Sequence, residues 1–370
     1  MFFNTPPIPE LRIALFGLRG AGKSTLLASY YGHQQTNAFN HKHGYQLRAD
    51  QSTGGQLLHS FFNMTENHHF PQATNTFSEY TFDLLVNDVP KPSLRVTWYD
   101  YPGEWWTERP NTDAEARARK ASLVKLLSSD IGVLLIDGDR YRRDGKSCVC
   151  STLAQFRQEI LRLRDDCAAA GRPMTDFPEH WLIAISKADL LPESISAADV
   201  AKDILANAIV PLQDVANAMD SKSFGKQFLL LSSAKGDGAK VVDAQKYVGL
   251  QLVAPLALAP ALDREARRHM KGGYLGPLPD WLMRYGPNAR TFLMATASKL
   301  PGKYKVAAMA LLALVSDDAI EYTADKLREI ANAEVKKGKT IEAATMLLTA
   351  ELRTPEANRA FHQTEKVLGS

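Results

Sequence analysis

At 370 residues, 45% hydrophobic and 23% charged, the chain is too apolar for a disordered protein and long enough for roughly two domains by the usual ~150-residue rule. Its net charge of +3 argues neither for nor against a nucleic-acid partner. The longest apolar run, Val306–Val315, is about half of the ~20 residues a spanning helix needs, so no transmembrane segment is expected. Cys148, Cys150 and Cys167 are an odd, sparse set, and Met1–Glu10 lacks a basic-then-apolar leader, so a reducing, cytoplasmic setting is expected.

Leu11–Phe16 predicts a short buried strand that runs into a glycine-rich turn and a helix over Lys23–Tyr31. Gly32–Asn75 is long, polar and rich in His, Asn, Gln and Thr, with only Gln56–Met64 patterned as a helix. A stretch of that length inside a compact domain is often functional. Tyr80, Phe82, Leu84 and Val86 alternate as a strand does, Pro90 and Pro92 mark a turn, and Leu94–Tyr99 is the returning strand of a hairpin. Strands over Ile131–Ile136, Trp181–Ile185 and Phe228–Leu231 then alternate with helical patterns over Thr152–Ala170, Ala197–Met219 and Val241–Leu252. This order predicts an α/β fold with a mostly parallel six-stranded sheet covered on both faces. The composition changes near residue 260. We therefore expect an α/β domain over 1–258 carrying the 32–75 insertion, a basic Gly/Pro-rich connector over 259–287, and an α-helical C-terminal domain over 288–370.

Four motifs carry the chemistry. Gly17-Leu18-Arg19-Gly20-Ala21-Gly22-Lys23-Ser24 fits G-x-x-x-x-G-K-[ST] between a predicted strand and a predicted helix. Gly17, Gly20, Ala21 and Gly22 let the backbone turn its N–H groups toward phosphate oxygens, and the helix N-terminus with Ser24 and Thr25 adds its dipole. Lys23 can reach the β- and γ-phosphates and Ser24 can ligate Mg²⁺. Asp100-Tyr101-Pro102-Gly103 ends a strand, where Asp100 can hold Mg²⁺ through water and the Gly103 N–H can meet the γ-phosphate. Ser186-Lys187-Ala188-Asp189 is similar to the N/T-K-x-D base-reading motif, with Ser186 where Asn or Thr is usual. The Asp189 carboxylate can accept from guanine N1–H and N2–H₂, a pair adenine does not present, and the Lys187 stem can cover the base. Ser232-Ser233-Ala234-Lys235, after the strand Phe228–Leu231, resembles an S-A-K loop whose Ala234 N–H would meet guanine O6. Two flanking residues have open roles. Glu104 can orient or deprotonate the attacking water or be a solvated loop carboxylate. Arg19 can stabilise transition-state charge in cis or narrow access for a partner's arginine.

With these motifs in order, the chain resembles the TRAFAC class of Ras-like P-loop GTPases, and within it the YcjX-like GTPases of bacteria. The closer resemblance rests on Val96–Trp105, similar to a D-Y-P-G-E-W signature, and on Phe70–Glu79, similar to a W-P-x-x-T-x-x-x-S-E stretch. Gly17-Leu18 and Ala21-Gly22-Lys23 also agree, whereas the family's loop Arg is one place later than Arg19, where this chain has Gly20. The resemblance covers roughly residues 10–240. Thr53, Thr74 and Thr76 can each be the switch threonine that closes on Mg²⁺; the resemblance implies Thr74, with Thr76 second. It also implies a regulatory GTPase that binds GTP and GDP, hydrolyses GTP with Mg²⁺, and is slow without a partner. The alternatives are an ATPase on the same loop and a nucleotide-dependent assembly subunit with little turnover.

Weaker signals remain. His33, His41, His43, His59, His68 and His69 crowd the insertion, which reads as a metal site or, better, as a polar switch loop. Cys148-Val149-Cys150 has one intervening residue, not the two of a zinc or redox motif. Between Arg264 and Lys305 nine basic residues face two acidic ones, interleaved with Tyr274, Trp281, Tyr285 and Phe292. That stretch reads as a solvated face that docks the helical part, or as a surface for an anionic membrane or nucleic acid, which would make the protein peripheral to a membrane. A protein partner is expected at the switch regions or the C-terminal helices.

Overall fold

The computed structural model describes residues 8–364 except 72–75, 88, 107, 172–173, 175–176, 179, 238–239, 259 and 262–322. β1 (Glu10–Gly17) leads into α1 (Lys23–His33), and the insertion follows as α2 (Asn37–His43), β2 (Tyr45–Ala49) and α3 (Gln51–Glu66). The hairpin β3 (Ser78–Val86) and β4 (Leu94–Asp100) precedes α4 (Asp113–Leu127), β5 (Ile131–Asp137), α5 (Gly138–Asp144) and α6 (Lys146–Ala169). Then come β6 (His180–Ser186), α7 (Ala197–Asn207), α8 (Ile209–Met219), β7 (Gln227–Leu230) and the small hairpin β8 (Lys235–Gly236) and β9 (Val241–Asp243). The last described stretch holds α9 (Ala324–Lys336), α10 (Thr340–Glu351), α11 (Pro355–Ala360) and β10 (Phe361–Gln363).

The main sheet has eight strands in the order β10-β7-β6-β5-β1-β4-β3-β2, which corrects the expected six. β1 lies between β4 and β5, and the β4-β1-β5-β6-β7 run is parallel throughout. The two additions are antiparallel and sit at the edges, β2 against β3 and β10 against β7. β2 escapes a reading by alternation because it has five residues, of which only Tyr45 and Leu47 are buried. The core is built on aromatic packing across the sheet. Trp181 meets Phe16, Phe156 and Phe224 with ring centroids 5.2, 5.4 and 5.5 Å apart. A Cβ on Gly132 would come within 2.5 Å of the Trp181 ring, so the strand beside it must carry a glycine there.

The expected mostly irregular insertion is in fact largely regular. Its helices start at caps. The Thr36 hydroxyl accepts from the Phe39 N–H at α2, and the Asp50 carboxylate accepts from Ser52 and Thr53 N–H at α3. α3 packs on α1 where Gly32 leaves room for the Phe61 ring. Thr53, one of the three switch candidates, is thus in the first turn of α3, with its amide held 3.0 Å from Asp50. The expected helix over Ala197–Met219 is two helices broken at Ala208 (φ −133°), because Pro211 has no N–H for the Asn207 carbonyl and fits only a first turn. Val241–Leu252 is not helical as expected. It opens as β9, turns, and reaches a 3-10 turn only at Leu250–Leu252.

The tail returns to the α/β body. Leu347 of α10 lies against Gly44, whose φ of 80° closes α2. The His43 ring is 2.8 Å from the Glu351 carboxylate, both buried. β10 then places Phe361 opposite Leu229, and the Thr364 N–H donates to the Lys226 carbonyl at 2.9 Å. Residues 262–287 of the expected connector, residues 288–322, and with them the basic 264–305 stretch lie outside the described residues. Among the described residues no helix is long and apolar enough to cross a membrane.

Candidate nucleotide site

β1 is buried along most of its length, so its chain leaves the sheet at Gly17 and must turn at once. Gly20 and Gly22 take φ of 81° and 84°, the left-handed region where a side chain is strained. Gly22 in that conformation is the N-cap of α1, which leaves the helix's first N–H groups turned to the loop. Lys23, 7% exposed, donates to the Gly17 carbonyl at 2.7 Å and the Leu18 carbonyl at 3.3 Å. Two of its three ammonium protons are thereby held by the loop itself, and one is left for a ligand. Burial pushes the Lys23 pKa down, and the charges of Asp100 and Glu104 push it back up. The lysine is therefore placed among carboxylates near enough to compete for its charge.

The end of β4 brings the second motif to the same place. Asp100 is fully buried, and its Oδ2 accepts from the Ser24 hydroxyl at 3.1 Å. A Cβ on Gly103 would overlap the Arg19 amide nitrogen and come within 2.5 Å of the Leu18 carbonyl carbon. The D-x-x-G glycine therefore rests on the phosphate loop. Glu104 is the second residue of the 3-10 turn Gly103–Trp106, where the Trp105 N–H donates to the Pro102 carbonyl at 3.1 Å. Arg119 of α4 grips this turn from behind: it donates to the Glu108 carbonyl at 2.6 Å and lies 5.2 Å from the centre of the Trp105 ring.

The ends of β6 and β7 bring the other two motifs. Asp189 is held on both oxygens, Oδ1 by the Ser232 hydroxyl at 2.6 Å and Oδ2 by the Gly236 N–H at 2.8 Å. The Ser186 hydroxyl donates to the Ile136 carbonyl at 3.2 Å, and the Lys187 ammonium is 2.7 Å from Asp137. One cavity of about 250 Å³ is lined by all four motifs: Arg19, Gly20, Gly22, Lys23, Ser24 and Thr25; Asp100, Gly103 and Glu104; Ser186, Lys187 and Asp189; Ser233 and Ala234. Gly17 and Ala21 shape the loop from within. A Cβ on Gly17 would meet Leu135 at 3.0 Å, and Ala21 is buried. Lys235 is exposed in the β8 strand and does not line the cavity. Thr74 lies outside the described residues, and Thr76 is exposed.

Several lining residues were missed. Phe70, Pro71, Tyr101, Leu190, Ser232 and Gly236 all face the cavity. The Phe70 ring tip and the Asp189 carboxylate both border the Gly236 position, 3.4 and 3.6 Å from where its Cβ would be. Phe70 opens the Phe70–Glu79 segment, whose resemblance points to its threonines; the signal for Phe70 itself is a large aromatic beside Pro71, where the similar stretch has Trp-Pro. Ser232 opens the Ser232–Lys235 segment, but the S-A-K match itself begins at Ser233 and gives Ser232 no role.

Oxygen donors at Ser24, in the first turn of α1, and at Asp100, the charged last residue of β4, fit a Mg²⁺ ion, which takes few protein ligands and completes its shell with phosphate oxygens and water. When bound, the ion would neutralise phosphate charge there. Among the described residues no group of three or more His, Cys, Asp or Glu side chains is placed to hold a metal.

No family model matches the sequence, and no curated protein is similar to it. Solved structures are similar to it at low identity and low TM-score. The chain is similar to translation elongation factor SelB from Methanococcus maripaludis in complex with the GTP analogue GppNHp, at 12% identity and a TM-score of 0.27 over 62% of this chain and 31% of that one. It is similar to the signal recognition particle receptor SRb-GTP/SRX complex from Chaetomium thermophilum at 14% identity and a TM-score of 0.33, over 64% of this chain and 96% of that one. It is also similar to the cytosolic domain of the T. maritima FeoB iron transporter in a GDP form, at 12% identity and 0.29, over 96% and 100%. The chain spans about a third of the SelB chain.

Helix α1 also ties the phosphate loop to the Ser232–Gly236 loop. The buried Ser29 hydroxyl donates to the Ser233 carbonyl at 2.8 Å. Four residues on, His33 packs between Tyr247 and Phe61, with centroids at 4.3 and 4.9 Å. Burial pulls the His33 pKa down to about 4, against the opposing pull of the Ser233 and Ala244 backbone. Because the folded pKa lies below the ordinary 6.5, the unfolded chain binds the extra proton between these values. Stability from neutral His33 is therefore full above about pH 6.5 and lost as pH falls toward about 4, by roughly 3 kcal/mol at the limit. His33→Gln is expected to lose less stability than wild type between pH 7 and 4, as measured by denaturant midpoints across that range. Parallel losses in the two proteins would remove His33 as a cause.

Proposed function

We propose that the chain binds guanine nucleotide with Mg²⁺ and hydrolyses GTP to GDP and phosphate as a regulatory GTPase, slowly unless a partner assists. The observation that carries this is Asp189, a carboxylate oriented on both oxygens by Ser232 and Gly236 in a cavity shared with the phosphate loop. Each carboxylate oxygen has lone pairs beyond the one used, so the group is set as a pair of acceptors for guanine N1–H and N2–H₂. Adenine offers an acceptor at N1 and would leave a half-buried carboxylate lone pair facing another, which disfavours an ATPase. Phe70 would lie against the base. Lys23, with one free proton, and the α1 N-terminus would take the phosphates, and Ser24 and Asp100 would hold the ion. The YcjX-like resemblance is carried on the same segments, and Thr74 is proposed as the threonine that closes on the γ-phosphate and the ion.

Asp189→Asn tests the reading. An amide cannot accept from both guanine donors but can pair with the second carbonyl of xanthine. GTP affinity should fall at least about 100-fold, on the scale of a lost charge-assisted bond together with an unpaired donor. Xanthosine triphosphate should gain relative to it. Competition of unlabelled GTP, ATP and xanthosine triphosphate against a fluorescent GDP analogue measures both. Unchanged GTP preference in the variant removes Asp189 from the base site.

A further inference from the structure

The loop that reads the base does not stand alone; it leans on the end of β5. Three contacts join them. The Ser186 hydroxyl donates to the Ile136 carbonyl, the Lys187 ammonium pairs with Asp137 Oδ2 at 2.7 Å, and Gly138 lies so close that a Cβ there would overlap the Ser186 carbonyl oxygen. Lys187 itself has φ of 50°, a left-handed conformation that costs energy in a residue with a side chain. Such a conformation persists where its surroundings over-determine it, and here the surroundings are residues 136–138.

We propose that Asp137 is a positioning residue that governs nucleotide retention by pinning Lys187 across the base. The proposal rests on the guanine-nucleotide reading above. Asp137 divides its two oxygens. Oδ1 caps α5 through the Asp139 and Arg140 N–H groups at 2.9 and 3.2 Å, and Oδ2 holds Lys187. With its ammonium committed to Asp137, Lys187 presents its four-carbon stem to the cavity it lines, an apolar cover for a flat base. The phosphates are held on separate loops. Freeing Lys187 should therefore speed release of GDP and GTP alike and leave the hydrolytic step alone. The same carboxylate starts α5, so a partner that shifts α5 has a direct lever on the base.

The test uses the full chain and a fluorescent GDP or GTP analogue chased with excess unlabelled nucleotide. Asp137→Asn keeps an oxygen for the α5 cap and removes the charge. It should release both nucleotides about tenfold faster, the scale of one charge-assisted contact, with single-turnover hydrolysis of bound GTP unchanged. Lys187→Met keeps a stem but not the ammonium. It should match that acceleration without touching the cap, and Asp137→Asn should add nothing in its background. Wild-type release rates in both single variants overturn the proposal, as does the same tenfold acceleration by Asp137→Asn when Lys187 is already Met, since Asp137 then acts only on the fold. If the wild-type chain retains no guanine nucleotide, the guanine reading itself fails and this proposal with it. If wild type retains it and the variants do too, only the proposal fails.

Discussion

Lys23→Ala should abolish most triphosphate binding, with affinity down by roughly 100-fold or more. Lys23 is 7% exposed, and it touches two loop carbonyls as well as the cavity. Its removal deletes a charge-assisted donor to phosphate, worth ~1.5–3 kcal/mol, and strands the buried Gly17 carbonyl at ~1–3 kcal/mol more. Those carbonyls also hold the loop's curl, so the backbone N–H groups lose their aim. Lys23→Arg should rescue little, because a planar fork cannot satisfy two carbonyls and a phosphate from one point as an ammonium does. Calorimetric titration with the non-hydrolysable triphosphate at fixed Mg²⁺ gives the numbers, and Ser24→Ala, run beside it, should show its loss mainly as a shifted Mg²⁺ requirement. Wild-type affinity in Lys23→Ala would mean that the loop is not the site.

Much of this site could be read from the sequence because its signals are local. A strand, a turn that only glycine can make and a helix N-terminus are written within sixteen residues from Leu11 to Leu26, and the D-x-x-G and base-reading motifs each sit at a strand end. What could not be read depends on partners far away in the chain. Ser29 meets Ser233 across 204 residues, Asp189 meets Ser232 across 43, and Lys187 meets Asp137 across 50. No periodicity records such pairs. β1, β5, β6 and β7 were legible because burial makes each a short apolar run, and the β3–β4 hairpin because β3 alternates and Pro90 and Pro92 mark its turn. The edge strands β2 and β10 were not, since an edge needs one apolar face and three to five residues give almost no pattern. The insertion misled for a related reason. Its caps, Thr36 and Asp50, were present, but the helices they start expose His, Asn and Gln to solvent and hide only single stripes such as Leu57, Phe61 and Met64.

Glu104→Ala is expected to slow GTP hydrolysis by ~10²-fold, the usual scale for loss of a group that orients or deprotonates the attacking water. The structure places Glu104 where this is possible. It lines the cavity, and its charge is close enough to raise the pKa of the buried Lys23 against desolvation. Its position is fixed from two sides. Gly103 rests on the Leu18–Arg19 backbone, where no side chain would fit, and Arg119 holds the Glu108 carbonyl and the Trp105 ring. A carboxylate beside a triphosphate also repels it, so the alanine variant should bind GTP as tightly as wild type or more so. Slower turnover with undiminished affinity separates a role in the reaction from damage to the site. Glu104→Gln then divides the two chemical roles. An amide can still orient water but cannot take its proton, so a rate near wild type assigns orientation, and a rate like that of Glu104→Ala assigns proton abstraction. The measurement is single-turnover hydrolysis of saturating GTP, with Lys23→Ala as the inactive control. If Glu104→Ala turns over GTP at the wild-type rate, Glu104 is a loop carboxylate only, and the charge on the transition state must be met by Arg19 or by a group that a partner brings.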